Sequence, residues 1–386
     1  MYQLSFSLSE FLTEYWQKKP TIIKGGLFFN TPEEGFVDPI SPDELAGLAM
    51  EEEIDSRFIS NLNDDWQAEH GPFSEEKFTE LGETNWSLIV QASNHWHPQA
   101  NDMLAPFKSM PGWLFDDLMV SFAMPDGGVG PHIDQYDVFI CQGLGKRHWR
   151  VGAKDEGQYQ EVCRHSALRQ IEGFDAIIDD VLEPGDILYI PPGFPHDGYA
   201  LEASMSYSVG YRSPKEQELV SNFADYVLAC DLGDVHLHNP EQKAQDKHGM
   251  IQTADADIMI SMLQKASQQP ELLNNFLGCM LSQSRHQLNI VQPEDEWDID
   301  EFMQHIESGE SLFKVQGLRA LYHENNPLTL FVNGEVFELE ESLLNFIPFI
   351  TEQDEINHKI LNQLTAFPEA MQLLIRLLNR GYWFTE

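Results

Sequence analysis

The chain has 386 residues, 42% of them hydrophobic, and 63 acidic against 23 basic side chains give it a formal net charge of −40. That length allows two or three domains with a real core. The charge opposes binding to nucleic-acid phosphates and draws basic partners from a distance.

At the N-terminus, MYQLSFSLSEFLTEYW lacks the basic and apolar regions of a secretion signal. No apolar run reaches the ~18–20 residues that cross a bilayer. Residues 9–18 carry a helical apolar spacing, with Ser9 as the expected N-cap and Pro20 as the stop. TIIKG follows as a short strand. Residues 41–50, SPDELAGLAM, open on a capping serine and a first-turn proline, so a second helix is expected. Residues 86–92 and 114–125 read as strands. Alternation along the latter puts Asp117, Met119 and Ser121 on one face and Leu118, Val120 and Phe122 on the other.

From residue 126 to 212 the text is short strands broken by Gly and Pro: DVFICQG, HWRVG, AIIDDVL, GDILYI and MSYSVGYR. That spacing predicts a sandwich or barrel, and residues 1–212 are taken as one domain. After Ser213 and Pro214 the periodicity turns helical, at 215–229, 256–268 and 271–288, with a loop over 232–252. Residues 213–290 are expected to form a helical region that makes a homodimer. An acidic linker at 291–301 leads into an α+β module reaching residue 386. Strands are expected at 317–322 and 328–331, a hairpin turn at Asn333-Gly334, and helices at 341–350 and 368–379 with Gly381 as the stop. Helices with a terminal hairpin resemble a winged helix. Residues 300–386 carry 14 acidic and 5 basic side chains, net −9, so direct DNA binding is not expected.

The chemistry concentrates in DGGVGPHIDQYDVFICQGLGKRHWR. His132 and Asp134 are two residues apart, so a strand would project both to one face. Arg147 sits on the next strand. His196 follows LEPGDILYIPPGFP, a strand and a tight turn. Two His and one carboxylate with open positions make the facial triad of non-haem Fe(II) oxygenases. The open positions suit O₂ and a bidentate 2-oxo acid, and Arg147 offers its far carboxylate a fork of donors. Structural zinc would call for cysteine. The four cysteines, Cys141, Cys163, Cys230 and Cys279, lie far apart with no CxxC, as in a reducing cytoplasm. The pairs His95/His97 and His236/His238 lack a strand–turn–His partner and are expected to be surface or loop histidines.

PHIDQYDVFICQGLGKRHWRVG together with LEPGDILYIPPGFPHDGYA resembles the JmjC-type ribosomal oxygenases, and in particular their bacterial ribosomal-protein arginine hydroxylases. EYWQKKPTIIKG, SPDELAGLAM and LGETNWSLIVQA read like the same branch. The resemblance implies an α+β chain: a double-stranded β-helix (JmjC/cupin) barrel, a helical dimerisation region and a C-terminal winged-helix-like domain. It implies Fe(II), 2-oxoglutarate and O₂, with His132, Asp134 and His196 as catalytic metal ligands and Arg147 as the 2-oxoglutarate anchor. Related histidine hydroxylases carry Lys where this chain has Arg147. The implied substrate is an arginine in the sixteenth protein of the large ribosomal subunit; the net charge of −40, which ribosomal RNA would repel, points to the free protein before assembly.

A target guanidinium wants a carboxylate and a flat wall. Asp117, Met119, Tyr136, Ser206 and Ser208 are expected as substrate contacts, and Ser121 as a second contact to 2-oxoglutarate. Two other readings use the same residues. One is a demethylase or histidine hydroxylase acting on a basic protein. The other is a non-catalytic metal-binding cupin regulator.

Overall fold

Short strands from residues 115–211 alternate between two antiparallel sheets in the computed structural model, which describes residues 1–385, the side chain of Asp64 excepted. The larger sheet runs in the order Thr21–Ile23, Ile187–Ile190, Asp137–Gln142, Ser204–Tyr211, Phe115–Ala123, Trp86–Val90, Ser56–Ser60, Gln67–His70. The smaller runs Glu161–His165, Leu168–Ile171, His132–Ile133, Pro195–Ala200, Arg147–Gly152, Ala176–Leu182. This alternation is the topology of a double-stranded β-helix.

Val138, Ile140, Leu188 and Ile190 of the larger sheet meet Trp149, Val151 and Leu182 of the smaller one in a shared buried interior. The opposite face of the larger sheet, with Leu118, Val120, Phe139, Tyr189 and Tyr207, packs on Phe11, Leu45 and Phe107 from the N-terminal part. Both faces are therefore covered, which is why VFIC and ILYI are continuous apolar runs. Each such side chain contributes roughly 1.5–3 kcal/mol relative to exposure. A one-residue slip would exchange the two faces, so the register is strongly held.

The first helix is Leu8–Glu14, capped by Ser7 and not Ser9: Ser7 Oγ accepts from the Glu10 amide at 3.4 Å. It stops before Pro20 because Gln17 turns left-handed (φ 55°), and the Gln17 amide donates to the Tyr189 hydroxyl at 2.8 Å. The helix Pro42–Leu48 has the expected Ser41 cap, and Glu44 completes it as a reciprocal capping box.

The chain divides into two compact units. The first comprises residues 1–213, 284–318 and 352–386. Beyond the barrel it holds a small sheet in which Leu312–Lys314 pairs with Glu355–Ile356 and Trp383–Phe384. The stretch expected as an acidic linker runs into a helix, Ile299–Ser308. Its acidic residues are the reason: Asp298 caps the helix and Glu301 closes the capping box.

The second unit comprises residues 214–283 and 319–351. Helices Glu216–Ala229, Thr253–Ala266 and Pro270–Ser282 accompany an antiparallel sheet of Ala320–His323, Asn326–Val332 and Glu335–Glu338. Asn333 (φ 47°) and Gly334 (φ 86°) make the expected two-residue turn. The helix expected at 341–350 is a 3₁₀ segment, Glu341–Phe346, that continues as Ile347–Thr351. Val220, Leu228, Ile260 and Leu263 leave an apolar face of these helices exposed. Among the described residues no helix is long and apolar enough to cross a membrane.

Candidate metal centre

His132 and His196 are register partners on neighbouring antiparallel strands. Their rings stand 4.2 Å apart between centroids. Asp134 follows the His132 strand, and its Oδ2 lies 3.6 Å from Nε2 of each histidine. One ligand atom from each of the three falls within 4.8 Å of the others. The remaining ring nitrogens are engaged. His132 Nδ1 donates to the Gly130 carbonyl at 2.8 Å, and His196 Nδ1 to the Phe194 carbonyl at 3.0 Å. A carbonyl can only accept, so each Nδ1 carries the proton and each Nε2 lone pair is left for a metal. Gly130 is left-handed (φ 76°), and a Cβ there would meet Gln170 Nε2 at 2.3 Å. The glycine turn thus aims the carbonyl that fixes His132.

Burial opposes charge on all three ligands. His132, then His196 and Tyr136, nevertheless hold the Asp134 carboxyl well below the usual carboxylate range. Asp134 in turn raises His132 against its burial. His196 is pushed down to about 4 by burial and then by the charge on His132. At low pH His132 takes a second proton, on Nε2, which Asp134 stabilises and which a metal must displace. Metal affinity is therefore expected to fall as pH drops through the raised His132 pKa. Mn(II) titration across a pH series measures this, with tighter binding expected at the alkaline end.

The Arg147 guanidinium is buried. Its Nε donates to Ser204 Oγ at 2.9 Å, and Nη1 to Ser121 Oγ and Ser206 Oγ, both at 2.8 Å. Nη2 donates to the Ser121 and Ser204 carbonyls, both at 3.0 Å. All partners are neutral, and among the described residues no carboxylate pairs with it. Burial draws its pKa down to about 9, so it remains a cation at neutral pH. A buried cation held only by neutral oxygens is a ready receptor for a ligand carboxylate.

The residues expected to touch substrate fall in two places. Ser206 is opposite Ser121 in register, with hydroxyls 3.0 Å apart, in the Arg147 cluster. Ser208 lies one step along the same face, opposite Met119. Met119 packs against Ile59, Trp66 and Ile89. Asp117 is buried, and its Oδ2 accepts from the Ala92 amide at 2.9 Å. The Gln91 amide, turned so that both its ends are satisfied, donates to Asp117 Oδ2 at 2.8 Å and accepts from Arg57 Nη2 at 2.9 Å. Tyr136 feels both Asp134 and Asp117: burial first, then the charges on these carboxylates, raises its phenol far above the ordinary value.

Four residues of this neighbourhood were not expected: Arg57, Gln91, Ser204 and His286, whose Nε2 stands 3.8 Å from Asp117 Oδ2. Of the other histidine pairs, His95 is buried, contrary to expectation, because its ring bonds the Gln287 carbonyl at 2.8 Å. His97 Nδ1 accepts from the Ala100 amide, and His236 and His238 lie exposed in a loop.

A JmjC domain model matches residues 102–219, and a ROXA-like winged-helix model matches residues 262–384. The ribosomal protein uL16 3-hydroxylase of Escherichia coli is 45% identical over 385 residues, covering 100% of this chain and 99% of that one. The chain belongs to the JmjC-type ribosomal oxygenases. A second member, a probable ribosomal oxygenase of Haemophilus influenzae, is 32% identical over 95% of this chain and 92% of its own. The solved structure of the E. coli ribosomal oxygenase YcfD in complex with cobalt and 2-oxoglutarate has a TM-score of 0.88 and 44% identity, with both chains covered in full. The α+β architecture is thus that of this family, a JmjC/cupin barrel with a ROXA-like winged helix.

Proposed function

We propose that this chain is an Fe(II)- and 2-oxoglutarate-dependent dioxygenase that hydroxylates an arginine side chain of ribosomal protein uL16. One observation carries the reading: two imidazoles and one carboxylate converge with free lone pairs, in a barrel that also buries an uncompensated arginine. That donor set fits Fe(II). When bound, Fe(II) and 2-oxoglutarate supply the chemistry that places an oxygen atom from O₂ into a C–H bond.

The chain's own residues do the rest. His132, Asp134 and His196 hold the metal. Arg147 takes the far carboxylate of 2-oxoglutarate, with the Ser121 and Ser206 hydroxyls turning to accept or donate as it arrives. Asp117 pairs with the target guanidinium, while Tyr136 and Met119 flank its stem and exclude water. Gln91 and the Ala92 amide hold the Asp117 carboxylate in place. Ser208 lines the path between the two sites.

Mass spectrometry of uL16 incubated with the enzyme, Fe(II) and 2-oxoglutarate tests the reading. A gain of one oxygen on one arginine is expected, and an unmodified protein sinks it. Asp117→Asn keeps the shape and removes the charge. It should lower turnover roughly ten- to a hundredfold, the worth of a charged hydrogen bond, while metal and 2-oxoglutarate binding persist. Normal turnover by this variant, or equal turnover of a lysine peptide, would exclude Asp117 as the guanidinium partner.

The substrate is met free in the cytoplasm, before ribosomal RNA covers it, because a −40 surface repels RNA. Association is expected to slow as salt rises. The exposed apolar side chains of the helical region support a homodimer. Sedimentation at micromolar concentration should find twice the mass of the chain, and a monomer of full activity counts against it.

A further inference from the structure

The strand that carries the first metal ligand is two residues long, His132–Ile133. So short a ladder cannot aim a side chain by itself, and the aim comes from its neighbours. On one side it meets the His196 strand. On the other it meets Leu168–Ile171, the second arm of a hairpin whose first arm is Glu161–His165. Gln170 is the residue opposite His132 there. Opposed residues of antiparallel strands share a face, so Gln170, His132 and His196 stand in one row.

Gln170 is buried, and its Nε2 donates to the Val129 carbonyl at 2.6 Å. The amide of the next residue, Ile171, donates to the Pro131 carbonyl at 2.8 Å. The hairpin thus grips the carbonyls on either side of Gly130. The carbonyl between them is the one that accepts from His132 Nδ1. Gly130 is also wedged: a Cβ there would meet the Trp66 ring at 2.9 Å as well as the Gln170 amide.

Stability does not account for this glutamine. Its Oε1 is buried and has no partner among the described residues, and an unpaired buried acceptor is destabilising. A leucine of similar size would remove that acceptor and release one carbonyl, two effects of opposite sign. What leucine cannot do is hold Val129. Glycine has wide backbone freedom, so a turn released on that side lets the Gly130 carbonyl leave Nδ1. The His132 proton can then move to Nε2, the atom a metal needs.

We propose that Gln170 is a positioning residue for the metal centre: through it, the hairpin Glu161–Ile171 sets the Gly130 turn and fixes the ring and tautomer of His132. This rests on the reading that His132, Asp134 and His196 hold the metal. Linkage makes the effect mutual, so a bound metal steadies the hairpin in turn.

The test uses the full chain. Gln170→Leu should weaken Mn(II) binding roughly tenfold, with a melting temperature near that of the wild type. NMR of isotope-labelled histidines, on metal-free and Zn(II)-loaded protein, reads the cause. The His132 Nδ1–H should exchange slowly in the wild type and rapidly in Gln170→Leu. The His196 Nδ1–H, bonded to the Phe194 carbonyl, should be the same in both. Unchanged Mn(II) affinity, an unchanged His132 signal, or equal loss of both histidine signals overturns the proposal. If the leucine variant does not fold, hydrogen exchange on the wild type decides. Zn(II) should slow exchange over residues 161–171, and exchange indifferent to Zn(II) overturns the proposal. A wild type that binds no metal would sink the triad, and the His132 signal of the metal-free protein would still decide the role of Gln170.

Discussion

Asp134→Ala is expected to abolish hydroxylation and to weaken Fe(II) or Mn(II) binding by more than roughly a hundredfold. Loss of a mere supporting partner of a metal ligand already costs about 10–100-fold, and Asp134 supplies the one negative charge of the set. The fold should survive. Asp134 belongs to none of the apolar clusters that join the sheets, and its charged neighbours are the two histidines themselves. Removing it also removes what raises His132, so His132 becomes easier to deprotonate, yet two imidazoles without the carboxylate make a poor site. Anaerobic metal titration and a thermal melt read the two halves separately. Wild-type affinity in the variant ends the triad assignment. A collapsed melt would mean that the carboxylate serves the fold.

Why this site was legible in the sequence, and its surroundings less so, follows from what each pattern encodes. Alternation on a strand reports a face. His132 and Asp134 are neighbours through that rule and the Gly130 turn, and both were readable without a partner strand. Alternation does not report height along the strand. Ser206 and Ser208 share a face, but the register that sets Ser206 against Ser121, and so beside Arg147, belongs to a pairing between strands about 85 residues apart. Ser204 escaped for the same reason, although it continues the Ser206/Ser208 alternation. Arg57, Gln91 and His286 have no local signal at all: Gln91 and His286 reach Asp117 through tertiary contact, and Arg57 reaches Gln91. Chain punctuation misled in two places. Pro195–Ala200 is a strand that reads as the tail of a proline turn. The helix Ile299–Ser308 hid in an acidic run because its own cap residues are acidic. Where a local rule is complete in itself, as in the Ser41 cap with its first-turn proline or the Asn333-Gly334 turn, expectation and structure agree.

Arg147→Ala should raise the 2-oxoglutarate requirement by roughly a hundred- to a thousandfold while metal binding is retained. The estimate follows from leaving a buried carboxylate without its partner, about 3–5 kcal/mol. The cost to stability should be smaller, because Arg147 pairs with no protein carboxylate and its loss strands no buried charge. What it strands is neutral: the Ser121 and Ser206 hydroxyls still bond each other, and the Ser121 and Ser204 carbonyls belong to strands already paired. Rescue by Lys146 is not expected. That side chain points to the surface and is held by Glu183. Arg147→Lys separates charge from geometry. It keeps a cation but cannot serve Ser204, Ser121 and Ser206 together, so its 2-oxoglutarate requirement should fall between wild type and alanine. Titration of 2-oxoglutarate into the Mn(II)-loaded protein reads binding directly, apart from turnover. If alanine, lysine and arginine bind it equally, the far carboxylate lies elsewhere, and the buried guanidinium serves only to tie three strands together.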